Sequence, residues 1–300
     1  LNNAASNENR GQALSLYMIV QTTGIVASQA LLLTADPSGY VLFVIPSILV
    51  SLAVTPILLS ISPTPAFETT KPMSLRQLLI YSPLGCVGMF LLGGIFSAQF
   101  GMASVYGAKV GLNVAQISTF VATFFVGSVV LQYPIGWISD RMDRRFLVII
   151  VAAIGGIGSM IGMTVGDNFT ILLGSAFVIG GMSNPLYSLL IAHTNDFLEH
   201  EDMAAAAGGL VFINGLGAIF GPIITGYLMD TAGPSGFYLF TGVLFALLFV
   251  YAGYRSTRRK AIPIEETGAF VPITQSSTPV AIEYAQEFAI ETDLEEESEA

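Results

Sequence analysis

Phe146–Val165 reads FLVIIVAAIGGIGSMIGMTV, twenty residues without one charged side chain. At about 1.5 Å per residue, a helix of that length matches the roughly 30 Å of hydrocarbon in a bilayer. The run does not alternate in polarity, as a membrane strand of about ten residues would, so a helix is the reading. Charge brackets it, with Arg144 and Arg145 before and Asp167 after. Seven further charge-free runs follow the same pattern, near 12–34, 40–60, 78–102, 114–138, 169–192, 204–228 and 236–254. The fold class predicted is therefore an all-α membrane protein with eight transmembrane helices. Pro46, Pro56, Pro83, Pro134, Pro185 and Pro222 fall inside these runs. They would break soluble helices, but neighbouring helices and side chains satisfy the freed backbone groups in a membrane.

Composition points the same way. Of 300 residues, 53% are apolar and 11% charged, where a soluble domain carries about 25% charged residues. Mean hydropathy is +0.70. A soluble enzyme is excluded. The net charge of −10 is unevenly spread: residues 1–254 carry seven Lys/Arg against eleven Asp/Glu, and residues 255–300 carry four against ten. The acidity thus belongs largely to the last segment. No basic face is left for nucleic acid, and no such partner is expected. Cys86 is the sole cysteine and His193 and His200 the only histidines. No intrachain disulfide, metal cluster or cofactor is expected. The spans hold neither clustered His/Asp/Glu nor a Ser–His pair, so no catalytic set and no enzyme is predicted.

Orientation follows from the distribution of positive charge. One set of connections holds Arg10, Lys71, Arg76, Arg141, Arg144, Arg145, Arg255, Arg258, Arg259 and Lys260, and the opposite set holds Lys109 alone. Both ends of the chain and the 61–77 loop are expected in the cytoplasm. The connection at 193–203 lies on the same side yet is acidic, with Asp196, Glu199, Glu201 and Asp202. Beyond about 261 the chain turns to Pro, Ser, Thr and Glu, and 255–300 is expected to be a disordered acidic cytoplasmic tail.

An internal repeat suggests the domain plan. Pro37-Ser38-Gly39-Tyr40-Val41-Leu42-Phe43 returns as Pro234-Ser235-Gly236-Phe237-Tyr238-Leu239-Phe240. The preceding helices also correspond, with Gln21 on Asn214, Gly24 on Gly217 and Ser28 on Gly221. Chance likeness of two apolar helices is the alternative, and the Pro-Ser-Gly-aromatic tetrad outside the apolar run argues against it. Helices one and two match helices seven and eight, so the repeat unit is six parallel-related helices. Residues 1–60 are then a two-helix remnant of an N-terminal six-helix bundle, 61–77 a cytoplasmic interdomain loop, and 78–254 a complete C-terminal six-helix bundle. About four helices, roughly 120 residues, are expected upstream. The opening Leu1 agrees with that expectation.

Between the fourth and fifth runs lies Gly136-Trp137-Ile138-Ser139-Asp140-Arg141-Met142-Asp143-Arg144-Arg145. It resembles the cytoplasmic-loop signature of the major facilitator superfamily, Gly-x-x-x-Asp-Arg-x-Gly-Arg-Arg/Lys. Asp143 departs from the pattern, standing where the family has glycine. The resemblance covers residues 1–254, and is closest to bacterial carriers of the sugar- and drug-type branches. It implies the superfamily fold and a secondary active transporter that moves a small solute across the cell (inner or plasma) membrane by alternating access, as a monomer when full length. The lipid bilayer and a small-molecule substrate are the partners implied. A transport-like sensor or scaffold without transport activity is the alternative.

The motif also has a physical reading. Gly136 allows close helix approach. Asp140, at a helix end, is placed to accept from the N-terminus of the helix starting near Met203. Arg141, Arg144 and Arg145 are expected to pair with Glu199, Glu201 or Asp202, forming a gating latch; the alternative is that they only fix topology. Gly217-x-x-x-Gly221-Pro222 reads as a helix-packing stripe.

Polar side chains in the spans are costly and face a cavity or a partner helix. The candidate cavity set is Gln21, Gln132, Ser183, Asn184, Tyr187 and Asn214, with Gln99 placed nearer the outer face. Each alone is either an interhelical hydrogen bond or a ligand contact. Ser183-Asn184-Pro185 is the sharpest, because proline loosens the helix beside two polar side chains. No Asp, Glu, Lys, Arg or His lies at mid-depth in the eight runs.

Overall fold

The computed structural model describes residues 10–59, 73–164 and 168–258, and beyond them 262, 263, 267, 270–275, 277, 282 and 285. Every predicted run becomes helix. In chain order they are α1 (Arg10–Leu31), α2 (Val41–Leu59), α3 (Leu75–Tyr81), α4 (Pro83–Ser97), α5 (Ala103–Lys109), α6 (Val114–Ser139), α7 (Arg144–Thr164), α8 (Phe169–Asn195), α9 (His200–Thr231) and α10 (Gly236–Ser256). Among the described residues, six helical runs are long and apolar enough to cross a membrane: Pro83–Lys109, Val114–Ser139, Arg144–Thr164, Phe169–Asn195, Asp202–Thr231 and Gly236–Ser256. Eight helical spans were expected. α1, with 22 residues, and α2, with 19, are helical as expected, but some of their side chains lie outside the described residues.

The 78–102 run differs most from expectation. A short helix, α3, comes first, and its N-terminus is closed by Ser74 and Gln77, each accepting from the other's backbone N–H. Ser82 then accepts from the Gly85 N–H at 3.2 Å, and Pro83 takes the first helical position, where a missing N–H costs nothing. Gly101 does not end the helix. It lies in a wide π-turn, Ala98–Met102, which leads without a break into α5. The run stops only at Lys109, followed by Gly111 with φ +78°, a conformation glycine adopts without steric cost.

Lipid offers apolar helices no hydrophobic reason to associate, so close approach of small residues holds them together. α4 crosses α9 and α6 crosses α8 on reciprocal glycines. A methyl group on Gly93 would overlap the Asn214 backbone, and one on Gly217 the Phe90 backbone. In the other pair, Gly127 abuts Phe177 and Gly180 abuts Phe124, again backbone against helix. α7 and α10 meet differently, with Gly155 against the Phe245 ring and Gly162 against the Tyr238 ring. Met89, Leu92, Ile95, Phe96, Leu186 and Leu190 fill the centre between these pairs. Ile157, Ile219, Ile223, Tyr227 and Val250 point outward as an exposed apolar belt suited to lipid. α1 lies against α6, where the Ser118 hydroxyl donates to the Gln29 carbonyl. α2 stays exposed along almost its whole length.

Candidate functional site

Because the helix runs to Lys109, Gln99 sits close to the middle of a membrane-length span rather than near its outer end. The π-turn carries it inward to 1% exposure; such turns are rare and recur at functional positions. Its Nε2 donates to Ser183 Oγ at 3.1 Å, and Ser183 Oγ lies 3.2 Å from its Oε1. On α8, Pro185 has no N–H, which leaves the Gly181 carbonyl without its helical donor beside this pair. The Asn184 and Tyr187 side chains are buried next to it and make no side-chain hydrogen bond among the described residues. The Tyr187 ring packs edge-on against Phe96 at 6.0 Å. Phe96 stacks on Phe100 at 5.7 Å, and Phe100 on Phe125 at 5.2 Å. The result is a cluster of amides and hydroxyls against an aromatic wall, built from α4, the π-turn, α6 and α8.

The cavity candidates therefore separate into three places. Ser183, Asn184 and Tyr187 stand together, with Gln99 as a fourth member that depth reasoning set aside. Gln132 donates to Ser188 Oγ at 2.9 Å, nearer the arginine end of α8, and Gln21 on α1 accepts from Thr274 at 3.2 Å. Asn214 is buried in a helix contact and donates to the Met89 carbonyl at 3.0 Å, joining α9 to α4. The packing stripe lies on the same contact: Gly217 meets Phe90, Gly221 meets Ser97, and the Pro222 ring approaches Gly101.

At the arginine end, α6 stops at Ser139 with Asp140 as its cap. The Arg141 guanidinium lies 4.1 Å over the Trp137 ring and donates to the Trp137 carbonyl at 2.9 Å. Arg144, its side chain 2% exposed, pairs with Asp196, 4% exposed, and also reaches Ser139 Oγ and Asp140. Arg145 grips Asp143, with Nε 3.0 Å and Nη2 2.6 Å from its carboxylate oxygens. The expected partners are thus corrected. Asp196 is the carboxylate that Arg144 meets, Glu199 and Asp202 take no part, and the Glu201 side chain lies outside the described residues. Asp196 wins because it caps α8 one turn beyond the Ala192 carbonyl, to which Arg144 also donates. This pair links α7 and α8 of one bundle. Partial burial pushes the Asp143 carboxyl up, but hydrogen bonds and charge from Arg145, with the His193 charge, bring it below its ordinary value.

Asp140 also has a different donor from the one expected. It accepts from the Phe270 N–H at 3.0 Å, not from the start of α9. Loss of hydration raises its carboxyl above the ordinary value despite that N–H, Arg144 and Arg141. Gly136 likewise faces the Phe270 ring rather than a helix, since a methyl there would come within 2.6 Å of it. The described tail residues are therefore packed and not loose as expected. Val271, Ile273, Ile282 and Ala285 are buried. Ile273 donates to Ser188 Oγ at 3.0 Å and accepts from it at 2.8 Å. The signal in the sequence was small: four consecutive residues, Phe270-Val271-Pro272-Ile273, with no Glu, Ser or Thr among them.

A family model for the Major Facilitator Superfamily matches residues 84–285. The chain belongs to the major facilitator superfamily. It is similar to the uncharacterized MFS-type transporter YfkF of Bacillus subtilis, at 25% identity over 79% of this chain and 62% of that protein. It is also similar to two uncharacterized MFS-type transporters named YcaD. The Salmonella arizonae protein is 23% identical over 83% of this chain and 64% of its own length, and the Escherichia coli protein 24% identical over 76% and 59%. The chain thus spans about three-fifths of the length of these curated relatives. As a member of the superfamily it is a multi-pass membrane protein of a transporter family.

Proposed function

We propose that this chain is part of a secondary active transporter that carries a small uncharged solute across the cell membrane by alternating access. The observation that carries the proposal is the buried Gln99–Ser183 pair at mid-depth. It is held by a π-turn, beside a proline-loosened helix, a partnerless Asn184 amide and a stacked aromatic wall. Ligand sites hold their ligands through apolar faces and orient them with a few placed polar groups, and this cluster brings both kinds of group together. Amide and hydroxyl groups suit a solute with hydroxyl or amide groups of its own. The aromatic rings suit an apolar face. Asp, Glu, Lys, Arg and His are missing from mid-depth among the described residues of these helices, which supports a neutral cargo. In this reading α1 and α2 belong to one rocking unit and α4–α10 to the other, with the arginine end and the tail in the cytoplasm. The arginine cluster serves as fixed support for the second unit.

The test is reconstitution of the full-length protein into liposomes and uptake of a panel of labelled neutral solutes. Gln99→Ala should lower uptake of the transported solute by about tenfold to a hundredfold, the equivalent of about 1–3 kcal/mol for a buried polar group left without its partner. Folded yield should be unchanged. Full uptake by the Gln99→Ala protein would remove this pair from the solute path.

A further inference from the structure

The tail contacts are too specific to be incidental. Phe270–Thr274 touches three helices at once: Asp140 and Gly136 on α6, Ser188 on α8 and Gln21 on α1. The Ser188 hydroxyl receives Ile273 N–H and Gln132 Nε2 and donates to the Ile273 carbonyl, which uses its one proton and both lone pairs. One side chain thus stands in for a strand neighbour of Ile273. Pro272 keeps Val271 extended, because the residue before proline is steered away from helix, and this delivers Phe270 and Ile273 in a straight reach. Gln21 and Gln132 are both polar groups from the membrane runs, and both are bonded into this network.

We propose that Phe270–Thr274 is a built-in strap, which closes the arginine-side mouth of the polar site and ties α1 to α6 and α8 until it is released. The proposal rests on the transport reading for its consequence. A segment bonded simultaneously to both rocking units holds them in one relative position. Solute then passes only when the strap has left, so the tail acts as an autoinhibitory contact. Its chemistry also makes it releasable: it is held by a few hydrogen bonds, by the buried Val271 and Ile273 side chains and by the Phe270 ring against Gly136, and none of its five side chains is charged.

The strap is tested by thiol accessibility in the full-length protein. Ile273→Cys places a buried thiol on the strap and keeps both backbone bonds to Ser188, and the protein without this substitution serves as blank. In opened membranes a small polar maleimide should label this thiol at least about tenfold faster when Ser188→Ala removes the hydroxyl that holds Ile273. Asp140→Ala, which deletes the acceptor of the Phe270 N–H, should give a similar rise. Equal labelling rates in all three proteins would overturn the strap. Solute uptake by the same membranes separates the two claims. Faster labelling without uptake of any solute supports the strap and counts against transport, whereas uptake with unchanged labelling does the reverse.

Discussion

The pair α1–α2 and the helices α4–α10 all come from charge-free runs, yet among the described residues only α4–α10 have an interior. Within α4–α10, glycines on crossing helices let backbones touch, and each helix keeps one face inward and one toward lipid. α2 has no glycine, carries Pro46 and Pro56, and leaves Phe43, Leu52, Leu58 and Leu59 exposed. α1 does have Gly24, but a methyl group there would meet nothing within 4 Å. Within α4–α10, small residues opposite a backbone decide which helices join, and α1 meets this set chiefly along α6.

Substitutions on the two sides of this contrast should differ in size. The largest effect is expected from Arg144→Ala, which takes the buried guanidinium away from Asp196 at a cost of about 3–5 kcal/mol, read as lost resistance of the bundle to denaturant in detergent. No change in that resistance would mean the α7–α8 pair is dispensable. Next comes a matched comparison of one substitution at two places. Gly127→Ala forces its methyl into the Phe177 backbone and should cost about 1–3 kcal/mol, whereas Gly24→Ala should stay within about 0.5 kcal/mol. Thermal unfolding of the two variants measures both, and equal effects would erase the distinction drawn here. Ser118→Ala removes the side-chain donor from α6 to α1 and should cost only about 0.6 kcal/mol, seen as faster proteolysis of α1 with the bundle intact. The smallest effect is acidic. The folded carboxyl of Asp143 titrates below its ordinary value, so its stabilisation is present above the unfolded value and is lost as pH falls through the folded one. Asp143→Asn should flatten the stability loss between about pH 5 and pH 2, and an unchanged acid limb in thermal scans would place the effect elsewhere.

Much of this was legible in the sequence, and the misses have physical causes. Charge-free runs bounded by Arg144, Lys109 or Asp230 mark helices because an uncompensated charge is expensive in hydrocarbon. Gln99 was misjudged because its charge-free run reads as ending near residue 102, just beyond it, and a π-turn leaves no mark in hydropathy. Ser183 and Asn184 stood out because Pro185 flags a loosened helix. Asn214 is equally polar and equally deep, but only the facing Met89 carbonyl shows that it joins helices. Among four nearby acids, nothing in the sequence singles out Asp196 for Arg144. The tail was read by average composition, which hides the few apolar residues at Phe270–Ile273.

The wide turn at Ala98–Met102 holds one residue more than an ordinary helical turn, and each residue of an α-helix advances about 100° around the axis. Everything beyond it is dialled round by that amount. This setting brings Tyr106 to 5.1 Å from the Phe237 ring and 5.2 Å from that of Tyr238, and Lys109 to 2.5 Å from Asp230. Losing one residue from the turn would unscrew the outer third of the span from α9 and α10 at a stroke, with its length through the bilayer scarcely altered.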